Sequence, residues 1–160
     1  AVAGKENHPV VKASFNDAQA FCAWMGKRLP TEAEWEKAAR GTDQRDFPWG
    51  NVWDTTRANV KLSGLRGTAA VGSFPGGASP YGVEDMSGNV AEWTSSPFVA
   101  YPGSTYQDPQ YSSDARIIRG GGWFDEQKQV RTTSRNAAFP DTANDDLGFR
   151  CASDEAPTEQ

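Results

Sequence analysis

The stretch Gly26-Lys27-Arg28-Leu29-Pro30-Thr31-Glu32-Ala33-Glu34-Trp35-Glu36 stops one helix and starts another. Gly26 suits the left-handed position just past a helix end. Thr31 and Glu34 have the spacing of a capping box, in which hydroxyl and carboxylate satisfy each other's free amides. Backwards from Gly26, the residues Phe15, Ala18, Phe21, Cys22 and Met25 recur at helical spacing, and Ser14-Phe15-Asn16-Asp17 supplies cap residues. Forwards from Thr31, Trp35, Ala38 and Ala39 form the inner face of a second helix. Gly41 ends it, and Arg40 in its last turn suits the helix dipole.

After Gly41 the pattern changes. Phe47-Pro48-Trp49-Gly50-Asn51, Gly64, Gly67, Gly72, Gly76-Gly77 and Gly88 punctuate segments too short for further helices. Brief strands are expected at Ala69–Phe74, Val90–Trp93, Arg116–Arg119 and Leu147–Cys151, with a long surface loop over Ser95–Asp114. The 160 residues suit one domain, expected over 1–152, with a flexible tail at 153–160. With 16 Gly, 10 Pro, 6 Trp, 8 Phe and 4 Tyr, the composition describes a loop-rich fold pinned by aromatic anchors.

The net charge of −5 and the lack of a basic stripe argue against nucleic acid. There is no apolar run of about 18 residues for a membrane span, and no signal-peptide pattern at the N-terminus. His8 is the single histidine, so a zinc triad or a two-histidine iron site cannot be built from this chain. No serine sits in a Gly-x-Ser-x-Gly turn, and Gly120-Gly121-Gly122 lacks the Lys-Ser/Thr of a phosphate loop. Cys22 and Cys151 lie near opposite ends of the domain, and two readings stand: buried free thiols, or a bridge stabilising by about 4–5 kcal/mol on the chain-entropy scale.

Asp85-Met86-Ser87-Gly88-Asn89-Val90-Ala91-Glu92-Trp93 sets two carboxylates around a Gly-Asn turn. Carboxylate and carbonyl oxygens together are the donors calcium accepts. The structural alternative makes Asp85 a turn cap and Glu92 an edge-strand charge. Further on, Arg119-Gly120-Gly121-Gly122-Trp123-Phe124 precedes Arg131, Arg135, Asn136 and Asp141. Arginines and amides beside an aromatic platform suit carboxylate, peptide or sugar ligands. Guanidiniums that merely stack on aromatics and tie loops down would leave the same pattern.

The blocks His8-Pro9-Val10-Val11, Gly26–Glu36, Phe47–Asn51, Gly88–Thr94, Arg119-Gly120-Gly121 and Leu147–Ala152 together resemble the formylglycine-generating enzyme (sulfatase-modifying factor) family. The resemblance covers positions 8 to 152 in the family's order. It implies an α+β, C-type-lectin-like fold, loop-rich with two helices and short strands. It implies calcium at Asp85, Met86, Gly88, Val90 and Glu92. A second calcium site would match Asn59, Val60, Ser63 and Leu65, where Ser63 stands in place of an acid. The family's structural disulfide matches Cys22 and Cys151, which tips the cysteines to the bridged reading and favours an extracytoplasmic or secreted location, leaving the cytoplasm open. The family's domain normally carries a further strand and helix ahead of the His-Pro-Val motif, so an N-terminal part of it is expected to be missing here.

The departures bear on function. The family's enzymes oxidise a substrate cysteine with copper held by two thiolates of their own, and those positions fall at or near Asp125 and Val130. Soft Cu(I) needs sulfur ligands, so no copper is expected. The expectation is a non-catalytic, calcium-stabilised ligand-binding or sensing module, with Trp123, Asp125, Arg131, Arg135, Asn136 and Asp141 facing an unidentified peptide, protein or small polar ligand. Attachment to or pairing with another domain of a longer protein is part of this reading. A divergent enzyme of the same superfamily, completed by another domain, is the first alternative. A retroelement-diversified variable binder is the second, although Glu126, Gln127, Lys128 and Gln129 lack the Asn/Ser/Tyr bias of such regions.

Overall fold

Ser14 and Thr31 each close a reciprocal cap, and the two helices follow from them. In this computed structural model, which describes residues 3–155 except for the side chain of Ser112, α1 spans Phe15–Trp24 and α2 spans Glu32–Arg40. The Ser14 hydroxyl accepts from the Asp17 amide while the Asp17 carboxylate accepts from the Ser14 amide; Thr31 and Glu34 repeat the arrangement. Gly26, at φ +69°, takes the left-handed turn that ends α1.

Four strands form one sheet in the order β3-β2-β1-β4: β1 Ala91–Pro97, β2 Arg116–Arg119, β3 Asn136–Ala138 and β4 Leu147–Gly148. β1 and β2 pair antiparallel with Trp93 opposite Ile118, β2 and β3 are antiparallel, and β1 and β4 are parallel. The connections carry four 3₁₀ turns, at Thr55–Arg57, Lys61–Ser63, Pro75–Gly77 and Pro109–Ser112. Among the described residues no helix is long and apolar enough to cross a membrane.

α1 docks on the sheet through a narrow stripe of Phe15, Ala18 and Cys22, which packs with Trp93 and Leu147. Small residues at 18 and 22 let the helix come close, and Phe15 meets Trp93 edge-on at 5.8 Å. Phe21 and Met25, expected on this face, stay about half exposed. Phe21 instead packs edge-on against Phe149 at the rim of the stripe. Cys22 and Cys151 are disulfide-bonded, and next to the bridge the backbones of Arg28 and Ala152 exchange two hydrogen bonds. α2 buries Trp35 and Ala39 against Met86, a second small cluster apart from the first.

The strand expected over Leu147–Cys151 keeps only Leu147–Gly148, since beyond it Cys151 is held by the disulfide and Ala152 pairs with Arg28, and the strand pattern changes elsewhere too. Ala69–Phe74 is not a strand: the Ala69 amide donates to Asn89 Oδ1, the Val71 amide to the Asn7 carbonyl and the Gly72 amide to Asp85 Oδ2, so no ladder is left to form. β1 runs on to Pro97, beyond a register shift after Trp93, and shortens the loop expected from Ser95. Asn136–Ala138 pairs with β2, although its short, polar sequence carries no alternation. Of the tail expected from 153, Asp154 is tied to the Arg28 guanidinium; residues 156–160 lie outside the described residues.

Candidate ligand cleft

β2 ends in three glycines, and their backbone draws two distant side chains together. Gly120 and Gly121 have φ of +88° and +68°. A Cβ at Gly121 would lie 2.8 Å from Val130 Cγ1 and 3.1 Å from Asp125 Oδ2, so both side chains converge on one point of the turn. Asp125 is held locally: Oδ2 accepts from the Gly122 amide at 2.8 Å and Oδ1 from Gln129 Nε2 at 3.0 Å. Val130 is wholly buried against Ala58 and Val60. Asp146, just ahead of β4, packs on the same turn, with its Oδ2 3.0 Å from where a Gly122 Cβ would stand. Burial pushes the Asp146 carboxyl above the ordinary aspartate range, and the charges of Asp125 and Asp145 add to the shift. Asp108, Phe98, Phe124, Asp125, Arg135 and Asp146 line a cleft of about 410 Å³ here, within the range of small-molecule sites.

The Asp85–Glu92 segment is bent at three left-handed positions, Asp85 at φ +57°, Gly88 at +76° and Asn89 at +65°. Asp85 Oδ2 accepts from the Gly72 amide at 2.8 Å, and burial raises the Asp85 carboxyl above its ordinary range. Glu92 is buried and fully engaged: Arg150 donates to both of its oxygens at 2.6 Å and Trp35 Nε1 to one of them at 2.7 Å. The carbonyls of Met86 and Gly88 accept from no donor among the described residues. Among those residues no three His, Cys, Asp or Glu side chains gather as a metal cluster. The donor set therefore fits calcium in part, through Asp85 and carbonyls, with Glu92 shared with a guanidinium. The second group closes on itself. Asn59 Oδ1 accepts from Ser63 Oγ at 2.8 Å, the Val60 carbonyl accepts from the Ser63 amide, and the Leu65 side chain is 56% exposed.

Comparison with known proteins places this architecture. The family model described as "Sulfatase-modifying factor enzyme 1-like domain" matches residues 1–155. The chain belongs to that family. It is 41% identical over 165 residues to the "Inactive C-alpha-formylglycine-generating enzyme 2" of Bos taurus, covering 93% of this chain and 51% of that protein. It is 39% identical over 175 residues to the "Formylglycine-generating enzyme" of Mus musculus, covering 96% and 46%. The chain thus spans about half the length of these curated relatives. Among solved structures, Treponema denticola variable protein 1 superposes with a TM-score of 0.75 at 25% identity, covering 93% of this chain and 72% of that one. The fold is the loop-rich, C-type-lectin-like α+β fold of this family.

The pair that converges at Gly121, Asp125 and Val130, carries no sulfur. The chain's two cysteines are joined to each other, and no free cysteine exists among the described residues. The six residues read as a ligand wall lie in different places. Asp125, Arg135 and Asn136 line the cleft beside the triple glycine. Trp123 faces a separate cavity of about 540 Å³ with His8, Arg66 and Thr68. Arg131 and Asp141 are exposed, and neither side chain has a hydrogen-bond or ion-pair partner among the described residues.

Arg135 is a clamp: Nε and Nη2 donate to the Glu32 carboxylate at 2.8 and 3.1 Å, Nη1 donates to the Val99 carbonyl, and the guanidinium lies 4.3 Å over Tyr101. Its charge is already met by an acid. Asp146, Asp108 and Phe98, which also line the cleft, carry no signal in the sequence. Arg119, which opens the segment read as a ligand wall, is wholly buried, and its Nη2 donates to Glu36 at 2.7 Å and to the Thr132 carbonyl at 2.6 Å. An arginine alternating with isoleucines in a short strand was the available signal for Arg119. Nothing local marks Asp146.

Proposed function

We propose that this chain is a non-catalytic ligand-binding or sensing module on the formylglycine-generating-enzyme scaffold, with its ligand in the cleft beside the triple glycine. One observation carries the reading. The side chains at 125 and 130 meet at the turn as the family's two thiolates would, but they are a hydrogen-bonded carboxylate and a buried valine. Neither donor set holds Cu(I). The 41% identity to a protein named as an inactive formylglycine-generating enzyme supports the same conclusion. A competition titration against a Cu(I) chelator, run beside oxygen uptake in the presence of a cysteine peptide, tests it. Copper is expected to stay with the chelator, with no uptake above background. Stoichiometric copper retention with turnover would overturn the reading and favour an enzyme, the alternative supported by the 39% identity to an active-named relative.

The reading includes calcium at Asp85 and the carbonyls of Met86, Gly88 and Val90, with Glu92 held beside them by Arg150. Calcium bound to the folded chain alone would raise its stability by mass action. Chelation should lower the melting temperature of the wild-type protein and leave Asp85→Ala unmoved. Equal curves for the wild type with and without chelator would remove calcium from the proposal. The disulfide supports an extracytoplasmic setting for the module.

A further inference from the structure

The cavity of about 540 Å³ shares no lining residue with the cleft beside the triple glycine. Neighbouring residues divide between the two: Phe124 and Asp146 line the cleft, Trp123 and Asp145 the cavity. Hydrogen bonds hold the walls of the cavity in place, although they come from distant parts of the chain. The Val71 amide donates to the Asn7 carbonyl, and His8 Nδ1 lies 2.9 Å from the Thr68 hydroxyl. The Lys12 amide donates to the Asn144 carbonyl, and Trp123 Nε1 donates to the Asp145 carbonyl at 3.4 Å. A frame fixed in this way is formed before any ligand arrives.

The charged side chains on that frame are unpaired. Lys5, Lys12 and Arg66 line the cavity, and none of the three side chains has a hydrogen-bond or ion-pair partner among the described residues. Lys12 and Arg66 also stand at φ of +58° and +54°, uncommon for residues other than glycine, asparagine and aspartate. Two acids share the lining: Glu6 accepts from the Gly4 amide within its own turn, and Asp145 is exposed. In a chain of net charge −5, this lining is therefore net positive. Pro9, Val11 and Trp123 set an apolar surface beside the cations.

We propose that the cavity is a second ligand site and that it takes an aryl carboxylate, a small organic anion carrying a ring. The carboxylate pairs with Arg66 and Lys12, the guanidinium fork matching its two oxygens. His8, with Nδ1 turned to Thr68, has Nε2 left as a further donor. The ring lies on Pro9 and Trp123, an aromatic contact that adds to the burial of apolar area. Inorganic phosphate would leave the apolar surface uncovered, and an organic cation would meet three unpaired positive charges.

His8 is the single histidine, so its ring protons report on this cavity alone. Proton NMR spectra at constant pH, titrated with phenylacetate, acetate and phenethylammonium, test the assignment. Phenylacetate should shift the His8 ring protons saturably, together with the indole N–H signal that Trp123→Leu removes. Acetate, which lacks the ring, should bind at least tenfold more weakly, and phenethylammonium should shift neither signal. Arg66→Gln combined with Lys12→Gln should weaken phenylacetate at least tenfold; both residues are exposed, so the fold is expected to survive the change. Lys27→Gln, exposed and outside the lining, should leave binding as it is. Silence of His8 toward phenylacetate overturns the proposal. So do saturable shifts by phenethylammonium, acetate binding as tight as phenylacetate binding, or full affinity in the double variant. Each of these results leaves the reading of the cleft beside the triple glycine where it stands, because the two sites share no residue.

Discussion

Replacing Cys22 and Cys151 together by alanine measures how much of this loop-rich fold rests on one covalent link. The two residues are 129 positions apart, so the bridge closes most of the chain into a single loop. Chain-entropy scaling for a loop of that length gives about 5 kcal/mol, all of it exerted on the unfolded ensemble. Alanine at the wholly buried position 22 removes one sulfur from the core cluster and adds about 1 kcal/mol. The folded geometry should hold, because Arg28 and Ala152 still pair through two backbone hydrogen bonds and Arg28 still reaches Asp154. In a domain of this size 1 kcal/mol is worth about 2–4 °C. The melting temperature, followed by circular dichroism, should therefore fall by about 12–24 °C. Urea unfolding should show an earlier midpoint and a slightly steeper slope, since the unlinked chain expands further. A fall of under about 3 °C with cooperativity intact would refute the reasoning. The neighbouring pairing alone would then hold the two ends.

Arg119→Met removes a buried guanidinium and leaves the Thr132 carbonyl and one Glu36 oxygen without their donor, while Glu32 keeps Arg135 and Glu36 keeps Arg40; urea unfolding should show a loss of about 1–3 kcal/mol. The Glu34 carboxyl is held down to about 2, first by the Arg28 guanidinium and then by the Thr31 amide. Its folded value lies below its ordinary 4.5, so its stabilisation is complete above pH 4.5 and is lost as pH falls from 4.5 toward 2. With the Glu34 side chain 45% exposed, solvent reduces that contribution to about 1 kcal/mol. Melting curves of Glu34→Gln should accordingly show a shallower decline than wild type between pH 5 and 2, and parallel declines would count against the pairing.

What could be read from the sequence follows the range of the interaction. Both capping boxes join residues three apart, and the structure closes them as expected. The stripe of α1 was read too broadly, because periodicity alone cannot say how wide a face the sheet will cover. Ala69–Phe74 has strand-like residues, yet its amides are taken by Asn7, Asn89 and Asp85, partners fixed only once the loops are in place. Asn136–Ala138 shows the converse: a segment without alternation becomes a strand because β2 presents it an edge. The site suffered most. Arg135 lines the cleft and is also held by Glu32, 103 residues away, a pairing that no local pattern marks.

Three sets of charge pairs hold the scaffold together away from positions 125 and 130. Arg119 with Glu32 and Glu36, Arg135 with Glu32, and Arg150 with Glu92 each tie a late segment to α2 or β1. None of them passes through positions 125 or 130. Asp125 instead closes its own turn through Gly122 and Gln129, and Val130 completes an apolar cluster with Ala58 and Val60. A carboxylate at 125 with both oxygens already bonded is a turn residue in its own right, and valine at 130 leaves no void where a thiol would sit. Change at these two positions thus falls on groups the fold satisfies locally.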